Sequence, residues 1–193
     1  KLALRDATIT GKALKATAQA QFDGSQSVAQ FNAKVDVQQA DLNAYLPPSE
    51  KKTQATKQKA AAPQQQPAAG WSSEPFDVAA LGQANGEADV RLASVRYGDL
   101  EISQGQIKTT LNNKVLKVSI DKLGLAKGTL SGQMAVDASA SATKVDYQTT
   151  VSGVEARPLL KTFADTDRLS GTIEYEMSGK GTGRSQKELV ESL

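Results

Sequence analysis

Apolar and polar residues alternate with a period of two along most of this chain, which predicts β-strands with one face turned from water and one toward it. Leu2, Leu4 and Ile9 open such a region, broken at Gly11. Leu14, Ala16, Ala18, Ala20 and Phe22 carry the alternation to Asp23-Gly24-Ser25, a turn signal. Phe31, Ala33, Val35 and Val37 alternate next, and Asp41 then caps a helical turn that Pro47-Pro48 stops. After residue 70 the pattern returns, with a strand at Ala88, Val90 and Leu92 following an Asn85-Gly86 turn. Further strands follow at Leu100 to Leu111, Leu116 to Ile120, Leu130 to Val136 and Val145 to Val151, with turns at Tyr97-Gly98-Asp99, Asn112-Asn113 and Lys127-Gly128. Leu123 and Leu125 fall on the opposite parity from Ile120, which predicts a bulge near Asp121-Lys122. Ala156 to Ala164 reads as a short helix with Pro158 in its first turn. A last strand runs over Leu169, Gly171, Ile173, Tyr175 and Met177, and Ser185 with Glu188 forms a capping box for a final helix.

The fold class expected is therefore mainly β: a curved antiparallel sheet of repeating strand units, groove-like, with two or three short helices. The segment from Val37 to Leu46 echoes that from Val151 to Leu160; in both, a strand meets an acidic cap and then a short helix ending in an apolar pair. Residues 50–70 are almost wholly Lys, Gln, Thr, Ala and Pro and read as a disordered linker, with a span on the order of 25 Å as a coil. The organisation expected is thus a β segment at 1–49, the linker at 50–70, and a larger β-rich region at 71–193.

Composition narrows the function classes. The 193 residues contain no His and no Cys, so the commonest general base, the commonest metal ligand and the strongest nucleophile are missing. The net charge of +2 is local: Lys51, Lys52, Lys57 and Lys59 outweigh Glu50 in the linker, and the remainder is slightly negative. That distribution, with few aromatics, argues against a nucleic-acid face. No run of 18 apolar residues and no signal peptide is visible, and the chain begins in a strand pattern and ends in a helix pattern. It reads as a piece of a longer protein, with any membrane anchor outside it. Missing cysteine suits a periplasmic protein and a cytosolic one equally.

The motifs that hint at chemistry have plain structural explanations. The glycines from Gly179 to Gly183 lack the spacing of a phosphate loop, with Ser178 and Arg184 where Gly and Lys belong, and read as a strand-to-helix turn. Ser49 with Lys52, and Ser141 with Lys144, match Ser-x-x-Lys in a linker and a turn, not a cleft. Asp165-Thr166-Asp167 lacks the further oxygen ligands of a calcium loop. No catalytic residue, metal site or cofactor is expected, and the chain is read as a non-enzyme. Leu116, Val118, Ile120, Leu130, Met134 and Val136 share the apolar side of two neighbouring strands. Alternation alone makes them an ordinary core or an open surface. The helix Ala156 to Ala164 is either a plug for the sheet or a lid.

In order and approximate spacing, several segments of residues 71–193 resemble the C-terminal region of the AsmA family. They are Trp71 through Pro75-Phe76 to Leu81, Gly86 to Leu92, Leu123 to Gly132, Gly153 to Leu160, Thr166 to Gly171, and Ser178 to Ser185 with Leu189. Residues 1–49 match in character only, and the Ala/Gln/Lys linker departs from the family pattern. The resemblance implies a periplasmic segment of a Gram-negative envelope protein, tethered to the inner membrane by an anchor outside this chain. It also implies that Leu116, Val118, Ile120, Leu130, Met134 and Val136 line a groove for phospholipid acyl chains. The alternative is a non-catalytic scaffold for outer-membrane protein assembly, with envelope proteins as partners.

Overall fold

Nine strands hydrogen-bond in chain order into one open sheet in the computed structural model, which describes residues 1–45 and 71–193. The strands are β1 (Leu2–Thr10), β2 (Leu14–Asp23), β3 (Ala29–Asp41), β4 (Ala84–Tyr97), β5 (Leu100–Asn112), β6 (Val115–Leu125), β7 (Gly128–Asp137), β8 (Thr143–Glu155) and β9 (Thr172–Gly183). Two α-helices, α1 (Ala156–Ala164) and α2 (Gln186–Ser192), flank β9 in the chain. The linker expectation for 50–70, with Pro47-Pro48 and Ser49, lies outside the described residues.

One pair departs from the antiparallel sheet expected. β3 and β4 run parallel, with Ala33 beside Ala88 and Val35 beside Val90. Parallel neighbours need a long crossover, and the stretch between Asp41 and Ala84 supplies one where a hairpin turn cannot. All other neighbours are antiparallel. Three of the hairpins close over two residues: Gly98-Asp99, Asn113-Lys114 and Ala126-Lys127. In the latter two both residues have positive φ, the left-handed turn geometry that follows the twist of the flanking strands.

Three boundaries differ from the sequence reading. Asn85-Gly86 lies within β4, because Gly86 packs flat against the Phe31 backbone where a Cβ has no room. Leu169 and Gly171 precede β9 in an exposed loop, whose Gly171 carbonyl accepts the Ala156 N–H at 2.9 Å. Gly179 to Gly183 continue β9 and do not turn; the missing side chains at Gly181 and Gly183 admit Leu189 and Glu188 of α2 onto the strand.

The bulge is where parity placed it. Register shifts between Ile120 and Leu123, so that Leu123 returns to the face Ile120 occupies. A second extra residue on β8, with Gly153 at φ 67, does the same for Val154. These irregularities gather Leu100, Ala126, Val151 and Val154 into the buried core, with Ile102, Leu125, Leu130 and Ile173 around it. Val154 is fully buried. Leu159 from α1 packs on this cluster. A salt bridge from Lys161 to Asp99 at 2.5 Å and the Phe163 ring 6.0 Å from Tyr97 tie α1 to the β4–β5 turn. The core thus sits at one end of the strands, beneath α1, and not across the sheet.

Candidate functional site: an uncovered apolar sheet face

Register assigns each side chain to a face, because directly paired residues point the same way. Leu4, Ala20, Ala33 and Ala88 lie in one row across β1 to β4. That row continues through Thr109, Val118, Met134 and Tyr147 to Gly179 on β9. The next row runs from Ala7 through Ala18, Val35 and Val90 to Ile107, Ile120, Gly132, Thr149 and Met177. One face is therefore largely apolar from β1 to β9, with Thr109 and Thr149 the polar members of these two rows, over roughly 38 Å at the usual strand spacing.

The six residues singled out from the sequence all fall on this face. Leu116 pairs with Val136, Val118 with Met134, and Leu130 with Leu123 across the bulge, while Ile120 stands opposite Gly132. None of the six is buried: five are half-exposed and Met134 keeps 40% of its surface. Among the described residues no second sheet covers them, which is the arrangement an ordinary sandwich core would have. The face is bounded at the two ends of the strands. α1 stands over one end. At the other, α2 packs on β9, and residues 71–83 run from α2 back to β4. Lys187 donates its N–H to the Ser72 carbonyl at 3.0 Å and Phe76 donates to that of Arg184 at 2.8 Å. The segment then enters a 3-10 helix at Ala79–Gly82. Ser185 caps α2 by accepting the Glu188 N–H at 3.3 Å, and the Glu188 carboxylate accepts the Arg184 N–H at 2.9 Å.

The single-strand patterns did not show how far the face extends. Alternation marked Leu4, Ala20, Ala33 and Ala88 as inward residues of separate strands, and only strand order and register join them to Val118 and Met134.

The opposite face is polar and charged. Lys34, Asp89, Lys108, Ser119 and Gln133 form one of its rows. A shallow depression of about 470 Å³ is lined mostly by residues of this face, Lys108, Lys117, Gln133 and Asp146 among them, with Val118 and Met134 also in the lining. Asp146 holds the Lys180 ammonium at 2.8 Å and raises its pKa by hydrogen bonding and charge. At two turns a serine two residues on caps an aspartate. Ser25 donates its hydroxyl and N–H to Asp23, lowering that carboxyl to about 2, with a further contribution from Lys1. Ser139 treats Asp137 in the same way and lowers its pKa. Among the described residues no three acidic side chains converge to hold a metal, and no helix is long and apolar enough to cross a membrane.

The family model of the AsmA family matches residues 1–193, the whole chain. No curated protein and no solved structure matches it.

Proposed function

The chain belongs to the AsmA family, and from that premise we propose that it binds phospholipid acyl chains along its apolar sheet face and lets them move along that face between the inner and outer membranes. The observation that carries the reading is an apolar face that extends over nine strands and that, among the described residues, no second layer covers. Each methylene removed from water there gains about 0.8 kcal/mol, so an acyl chain binds without a polar site to recognise it. The gain is nearly equal in every register along a row, which suits passage better than fixed binding. At roughly 38 Å, a row is longer than the ~30 Å hydrocarbon core of a bilayer. The helices and the 71–83 segment bound the face at the strand ends, leaving the direction across the strands as the path. In this reading the segment is periplasmic and non-catalytic, held to the inner membrane by an anchor outside this chain. The scaffold alternative is less favoured, because a fully packed sandwich would suit it and among the described residues no second sheet packs on this face.

Mass spectrometry of the purified chain tests the proposal. It should carry phospholipid of mixed acyl composition, and Val118→Asp should lose most of it at unchanged circular dichroism. A chain that stays lipid-free, or a folded Val118→Asp variant that retains its lipid, contradicts the reading.

A further inference from the structure

Among the described residues the two outer strands of the sheet differ. β1 is interrupted: Asp6 sits at φ 50 and the register shifts between Leu4 and Ala7. Such a bulge is one of the devices that keep an edge strand from pairing with another chain. β9 carries none, because the extra residue in its pairing belongs to β8. The Thr182 N–H turns away from β8 and donates to Ser192 Oγ at 2.7 Å. That bond fixes the parity of β9: its even-numbered residues aim their backbone groups outward. It also closes the edge there with α2. Among the described residues the stretch without an outer partner runs from Glu174 to Lys180, and its midpoint is Met177.

We propose that β9 pairs antiparallel with β9 of a second copy of this chain, in the register centred on Met177. That register makes the open stretch self-complementary. On the polar face Glu174 meets the partner's Lys180, and Glu176 meets the partner's Ser178. Lys180 already holds Asp146, so each junction becomes a chain of alternating charges. On the apolar face Tyr175 lies opposite the partner's Gly179, over which the partner's Tyr147 ring already packs, and Met177 opposite the partner's Met177. The neighbouring registers are worse. A shift in one direction sets Glu176 against the partner's Glu176. A shift in the other sets Glu174 against the partner's Thr182, whose N–H already donates to Ser192, and so loses that hydrogen-bonded pair. Tyr175 and Met177 expose 45% and 49% of their surface in the single chain, and the pairing covers part of both. The two-fold axis stands normal to the sheet, so both apolar faces lie on the same side. The proposal rests on the edge alone and holds whether or not the face carries lipid.

The chain has no cysteine, so single thiols report the register cleanly. Sedimentation should show a monomer–dimer equilibrium. Met177→Cys should form a disulfide-linked dimer on mild oxidation, and Ser178→Cys should not. Glu174→Lys and Lys180→Glu should each weaken dimerisation about tenfold or more, and the double swap should restore it. Circular dichroism establishes that each variant is folded. A chain that stays monomeric up to about 100 μM, a cross-link through Ser178→Cys in place of Met177→Cys, or a double swap no better than the single changes overturns the proposal.

Discussion

Val118 and Lys117 are neighbours in the chain and opposites in the sheet, one in the apolar row and one pointing to water. Val118→Asp sets a charge among Thr109, Met134 and their neighbours and should cost on the order of 2 kcal/mol in urea unfolding. Lys117→Asp should stay within about 0.5 kcal/mol. Equal costs would mean that the two faces do not differ. Residue-scale chemistry also sets a pH dependence. The Asp23 carboxyl, held by Ser25, falls from its ordinary 3.8 to about 2, and Asp137 is lowered by Ser139. A group whose pKa is lower in the folded state contributes stability above its unfolded value and loses it as pH falls toward the folded one. Stability should therefore drop between about pH 4 and pH 2, and the double variant Asp23→Ala, Asp137→Ala should show a shallower drop. Unchanged acid sensitivity in that variant would assign the effect elsewhere.

At the scale of elements, alternation located the strands well because the apolar side chains of each fall on one face of the sheet and the polar ones on the other. The same alternation marked the bulge near Asp121-Lys122, since an extra residue is the only way to move Leu123 onto the face of Ile120. It missed what depends on neighbours. Gly86 reads as a turn residue but serves a close approach to Phe31, and the Gly179–Gly183 run is strand because α2 covers it. α1 was legible from its apolar side, and the structure gives it the plug's place over the only buried cluster among the described residues. Leu159→Ala should thus cost about 2–3 kcal/mol, less than a fully enclosed leucine, because Leu159 remains half-exposed. A thermal melt unchanged by that substitution would show that α1 rests on the sheet without holding it. Gly128 lies against the Gly153 and Val154 backbone, and Gly128→Ala should be destabilising by about 2 kcal/mol for want of room.

At the scale of the molecule, the sequence indicated a strand-rich architecture but not strand order. The parallel β3–β4 pair comes from a long crossover that carries no alternation to read. The candidate face was legible only in part. Leu116, Val118, Ile120, Leu130, Met134 and Val136 were marked on two strands, whereas its extent depends on register across nine. Whether such residues form a closed core or an open surface is a property of layers, and a single strand's pattern is the same in both. The central claim is that acyl chains lie on this face, and site-specific photo-crosslinking in cells tests it most directly. A crosslinking residue at Val118 or Met134 should capture phospholipid, and the same probe at Lys117 or Gln133, one step along each strand and on the opposite face, should not. Capture at neither Val118 nor Met134 in a normally expressed protein, or equal capture at all four positions, contradicts the account.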